Sequence, residues 1–112
     1  MNWNQDNMTI KPSYRFTPDA QADLIEIRRY TLEQWGEIQS KKYLSELRQT
    51  IRLLSEAPAI GKQRPDIGSD IYSFPSASHL LYYTLSKQQL IVFGVLHKSM
   101  APLSHLEDRE IV

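Results

Sequence analysis

The side chains able to move a proton or steady a phosphate gather in the second half of the chain: Lys62, Arg64, His79, Tyr82, Tyr83, His97 and Lys98. Cutting RNA at its 2′-hydroxyl needs a base, an acid and cations for the charge that develops on the phosphate. This set is thin for such work. Tyr72, Ser73, Thr84 and Gly94 stand where a phosphate-binding sheet would carry Arg or Lys, and the tyrosines equally suit packing within strands. Serines are frequent, but none lies on a nucleophile elbow. His79 follows Ser76 and Ser78 and reads as a sheet-edge histidine bonded to backbone. The three histidines, His79, His97 and His105, lack metal-ligand spacing, with only Asp108 placed near His105. No glycine-rich phosphate loop is present. These residues therefore predict no catalytic centre, no metal and no cofactor. The run His97-Lys98-Ser99-Met100 combines polar, cationic and soft apolar groups, a mix suited to a protein contact surface.

The bulk composition agrees. A chain of 112 residues makes one domain with a single modest core. Its 41% hydrophobic and 23% charged content is that of a globular protein. A formal net charge of +0 argues against strong direct gripping of nucleic acid, which calls for a basic excess. Without cysteine there is no disulfide, thiolate metal site or thiol nucleophile. No apolar run is long enough to span a membrane, and the N-terminus lacks a signal-peptide pattern. The expected location is the cytoplasm.

The elements that must position these groups follow from periodicity. Residues 1–11 are polar and aperiodic, a loose tail in which Met8 offers a second start. Pro12 to Phe16 reads as a strand with Tyr14 and Phe16 on one face. Thr17-Pro18-Asp19 opens a helix: a capping hydroxyl, a proline suited to the first turn, and an acid at the positive end of the dipole. Its stripe is Ala20, Leu24, Ile27 and Tyr30, and Gly36 ends it. A second helix from Glu37 to Ala57 carries Tyr43, Leu44, Leu47, Ile51 and Leu54 inward, and Pro58 halts it. The pair should form an antiparallel hairpin. Ala59 to Asp70 reads as loop. Three strands follow, Ile71–Phe74, His79–Leu85 and Leu90–Leu96, the last two joined by a turn at Ser86-Lys87-Gln88-Gln89. The last is so continuously apolar that it should be central and covered on both faces, by the hairpin on one side and by the C-terminal segment or a partner on the other. The expected class is α+β, in the order βααβββ, with a helical hairpin on a small, predominantly antiparallel sheet. The domain is expected to span 12–106, followed by a polar tail, 107–112.

The ordered series Phe16-Thr17-Pro18-Asp19-Ala20, Gly61-Lys62-Gln63-Arg64-Pro65-Asp66-Ile67, Tyr72-Ser73-Phe74-Pro75, Ser78-His79-Leu80-Leu81-Tyr82-Tyr83 and Val95-Leu96-His97-Lys98-Ser99-Met100 resembles the ParE branch of the RelE/ParE toxin superfamily. The resemblance covers about Tyr14 to Leu106. It implies a toxin of a type II toxin–antitoxin system, a ParD-like antitoxin partner and DNA gyrase as the target; the RelE branch instead cuts messenger RNA on the ribosome. The chain departs from the branch where members carry Arg near the Phe-Pro element (here Ser73), Arg after the paired aromatics (here Thr84) and Asp after the His-Lys-Ser-Met run (here Ala101). The two missing cations weigh against nuclease action. Three readings follow: a gyrase-binding inhibitor, a RelE-like endoribonuclease, and a toxin-derived module that binds antitoxin without toxicity. The residues expected to contact target or antitoxin are Tyr30, Trp35, Tyr43, Arg64, His97, Lys98 and Met100.

Overall fold

The computed structural model describes residues 13–111; the expected loose stretch 1–11 lies outside them. The chain forms strand β1 (Ser13–Phe16), helices α1 (Pro18–Trp35) and α2 (Glu37–Glu56), strands β2 (Lys62–Gln63), β3 (Tyr72–Ser76), β4 (His79–Ser86) and β5 (Gln89–His97), and a short helix α3 (Pro102–Leu106). The sheet order is β1-β5-β4-β3-β2. Only β1 runs parallel to its neighbour, pairing Ser13 to Phe16 with Gln89 to Val92. Among the described residues no helix is long and apolar enough to cross a membrane.

The local chemistry of the hairpin is as its residue types dictate. The Thr17 hydroxyl accepts from the Ala20 amide at 3.2 Å and caps α1. One residue, Gly36, both ends α1 and begins α2. Its φ of +88° is a conformation that a side chain resists, and its amide donates to Leu32 while its carbonyl accepts from Ser40. Just inside this corner the Thr31 and Ser40 hydroxyls, both buried, bond at 2.7 Å. The inward stripes, with Ile27, Leu47, Ile51 and Leu54, pack on the side of the sheet presented by Leu81, Tyr83, Val92 and Val95.

The segment Ala59 to Asp70 is not wholly loop. Lys62 and Gln63 pair with Ser73 and Tyr72, adding a fifth strand. Two residues have no periodicity to display, so pattern alone misses such a strand. Ser73 and Thr84, where the resemblance implies arginines, are locally engaged. Ser73 is buried and accepts from Arg64 at 3.1 Å, and the Thr84 hydroxyl donates to the Asp70 carbonyl at 2.7 Å.

The second face of the sheet is covered by the chain itself. Ile71, Tyr82, Phe93 and Leu96 pack with Leu106 of α3. A bulge makes this possible: Tyr82 pairs with Gly94 but Tyr83 with Val92, leaving Phe93 as the extra residue. Gly94 admits α3 closely, since a Cβ there would lie 2.7 Å from Leu106 Cδ2. The polar tail expected after Leu106 contains an anchored residue. Arg109 forms a two-pronged pair with Asp23 of α1 at 2.6 and 2.9 Å, and the two side chains are only 16% and 14% exposed. Ala101 occupies the cap position of α3 without a side-chain bond, so the acid it replaces is one that would cap this helix.

Two stability predictions follow from these contacts. Tyr83 Oη donates to the Pro58 carbonyl at 2.6 Å and fills the space a Cβ on Gly61 would take, 1.9 Å away. Gly61→Ala should destabilise by about 1–3 kcal/mol and Tyr83→Phe by about 1–2 kcal/mol. In urea unfolding the double variant should lose less than the sum, because Phe removes the hydroxyl, the closest of the crowding atoms; additive losses would refute the contact. Ala101→Asp should raise stability by about 1 kcal/mol through the restored cap; an unchanged urea midpoint would contradict that role.

Candidate functional site

Where β5 outruns β1, the hairpin, the ends of β4 and β5 and the C-terminal segment enclose a hollow of about 500 Å³. That lies within the range of ligand pockets, about 300–1,000 Å³. One wall is a continuous train of rings. Tyr30 meets Trp35 edge-on with centroids 6.5 Å apart; Trp35 meets Tyr43 at 5.7 Å, across the Gly36 corner. Tyr43 meets His79 at 5.6 Å, and His79 meets His97 at 5.5 Å. Tyr30 and Trp35 remain 55% and 51% exposed. Both are open to a partner rather than sealed into the core.

The hydrogen-bond network assigns the imidazole protons. The Tyr43 hydroxyl accepts from the Ser78 amide at 3.1 Å, which leaves its own proton available to His79 Nδ1, 2.6 Å away. His97 Nδ1 accepts from the Ser99 amide at 3.1 Å and lies 2.8 Å from the Ser99 hydroxyl. Both rings therefore take the tautomer with hydrogen on Nε2. Burial, and then the neighbouring His97, pull His79 down to about 4, against a small opposing pull from Asp23. His79 is thus neutral near pH 7. The expectation that it bonds to backbone as a sheet-edge histidine is corrected: its partner is a tyrosine hydroxyl from α2.

Of the residues expected to make contacts, the fold brings Tyr30, Trp35, Tyr43, His97 and Met100 together around this hollow, with His79, His105, Asp23 and Arg109 beside them. Arg64 and Lys98 are not in the lining. Arg64 sits on β3's side of the sheet, paired with Asp66 at 2.9 Å, with its guanidinium 5.6 Å from the Tyr82 ring centre. Lys98, one residue beyond His97, is exposed.

The sequence suggested no cluster of cationic and imidazole groups, yet three imidazoles and one guanidinium line this space. Their bonding limits what they can do. Arg109 is engaged by Asp23 and by the Phe93 carbonyl at 3.1 Å. Nδ1 of His79 is occupied by Tyr43 and Nδ1 of His97 by Ser99. Among the described residues no group of three or more His, Asp or Glu is arranged to hold a metal. The hollow presents imidazole and aromatic surface beside a guanidinium that is already paired. Asp23 and Arg109 went unnoticed in the sequence because 86 residues separate them and neither lies in a motif.

Comparison with known proteins places this geometry. Residues 14–102 match the family model described as the ParE toxin of the type II toxin–antitoxin system, parDE. Toxin ParE1 of Caulobacter vibrioides is 34% identical over 97 residues, covering 87% of this chain and 99% of that protein. Toxin ParE1 of Mycobacterium tuberculosis is 35% identical over 88 residues, covering 78% and 90%. A structure of the chromosomal ParDE TA system from P. aeruginosa shares the fold, with a TM-score of 0.67 at 15% identity, covering 78% of this chain and 96% of that one.

His79 gives the hollow a measurable signature. Its value in the fold lies below the ordinary histidine value of 6.5, so below that pH the unfolded chain binds the additional proton. Stability present above pH 6.5 should fall as pH drops from 6.5 towards 4. With His79 partly in contact with solvent, the loss should be about 1–2 kcal/mol. Unfolding by urea across this range should show the slope, and His79→Gln should flatten it. An equal slope in the variant would place the titration elsewhere.

Proposed function

The chain belongs to the ParE toxin family of type II toxin–antitoxin systems, and on that footing we propose that it is a toxin acting by protein docking. Its target is DNA gyrase, and a ParD-like antitoxin holds it silent in the cytoplasm. The observation that carries this reading is the half-exposed ring train, Tyr30–Trp35–Tyr43, leading into a hollow whose one guanidinium is already paired. Aromatic anchors of this kind contribute strongly to protein interfaces. Bond breaking would instead demand an acid, a base and free cations.

The ribonuclease reading has one observation in its favour, the meeting of His79 and His97. It requires the two rings to work as acid and base, whereas Nδ1 of His79 is already bonded to Tyr43 and Nδ1 of His97 to Ser99, and the one guanidinium in the lining is paired.

Purified gyrase separates the two readings. Adding the protein should block supercoiling and accumulate the cleaved-DNA complex, and Trp35→Ala should weaken this about tenfold or more. Supercoiling unaffected by a stoichiometric excess would reject the gyrase reading. Specific cuts in transcripts on translating ribosomes, lost in Arg64→Ala or His97→Ala, would install the nuclease in its place.

A further inference from the structure

Two imidazole nitrogens in the hollow have no partner among the described residues. With Nδ1 of His79 held by Tyr43 and Nδ1 of His97 held by Ser99, each ring retains one polar group, Nε2–H. Among the described residues neither Nε2–H has an acceptor. The two rings have centroids 5.5 Å apart and are nearly perpendicular, and both line the same hollow. The nearby carboxylates do not fill that role. Asp23 is engaged by Arg109 and the Val95 amide, and Glu26 by Arg29. Around the donors the walls are apolar or aromatic: Ile27, Tyr30, Trp35, Val95 and Met100.

The acceptor that fits is a single carboxylate. A phosphodiester chain would bring repeated negative charge past Asp23 and Glu26 and would find no unpaired guanidinium in the lining. A neutral carbonyl would forgo the stronger bonds that a charged acceptor makes. The concave shape takes a protruding segment of chain rather than a flat folded surface.

We propose that the hollow seats one Asp or Glu side chain of the antitoxin, carried on an extended segment. The carboxylate accepts from Nε2–H of both His79 and His97. The residue beside it, aromatic or long aliphatic, lies against Trp35 and Met100. This inference rests on the reading that an antitoxin is the partner, and it names the side-chain chemistry by which this chain recognises it.

The test uses the full chain and a full-length ParD-like antitoxin that binds it. In long-range ¹H–¹⁵N spectra of the free protein, both rings should show the Nε2–H tautomer, and both Nε2 signals should move when antitoxin is added. Calorimetry should show His97→Phe weakening the complex about tenfold or more. One Asp→Asn or Glu→Gln change in the antitoxin tail should cause the same loss, with little added when the two changes are combined. The spectra use the unsubstituted protein, so the result stands even if a histidine variant folds poorly. Full-affinity binding with both imidazole signals unmoved would overturn the proposal while leaving the antitoxin reading intact. Movement of those signals by an RNA oligonucleotide but not by the antitoxin would overturn it in favour of a phosphate site. Failure of every ParD-like antitoxin to bind would overturn the partner reading itself.

Discussion

The outer edge of β5 changes partners at Val92. Up to that residue β1 lies alongside, and the Thr17 amide closes the pairing on the Val92 carbonyl at 3.0 Å. The bulge at Phe93 then turns the strand, and β1 has already given way to α1. Two backbone groups on that edge need partners, because an unpaired buried amide or carbonyl costs about 1–3 kcal/mol. Asp23 takes the Val95 amide at 2.9 Å, Arg109 takes the Phe93 carbonyl at 3.1 Å, and the two side chains bind one another. A helix from the start of the chain and a segment from its end are thus joined over the central strand by one ion pair.

The rest of the site depends on that clasp. It ties down the segment that carries Leu106 onto Gly94, which closes the second face of the sheet. It also pairs the one guanidinium in the lining of the hollow, beside imidazoles and aromatic rings.

Much of this was legible in the residues. The hairpin could be read from two stripes, a capped start and a single glycine corner. The continuous apolar run Leu90 to Leu96 announced a strand covered on both sides, and the C-terminal segment supplies the second cover. What periodicity could not show were pairings across long stretches of chain: the two-residue β2, the Tyr43–His79 bond between α2 and β4, and the Asp23–Arg109 pair. Tyr30, Trp35, Tyr43, His97 and Met100 were recognisable as contact residues by type. Their meeting in one hollow was not, because it follows from how α1 crosses the end of the sheet. Arg64 looked equally promising by type, yet the fold commits it to Asp66, Ser73 and the Tyr82 ring.

The clasp is tested most directly by amide hydrogen exchange at Val95, compared between the unaltered protein and Asp23→Ala. Removing the carboxylate leaves Arg109 unpaired and the Val95 amide without its acceptor. Exchange at Val95 should accelerate on the order of 100-fold, with protection also falling at Leu106 as the C-terminal segment loosens. Unchanged protection at both amides would mean that the edge of β5 is held by something other than this ion pair, and the account of how the hollow is built would be wrong.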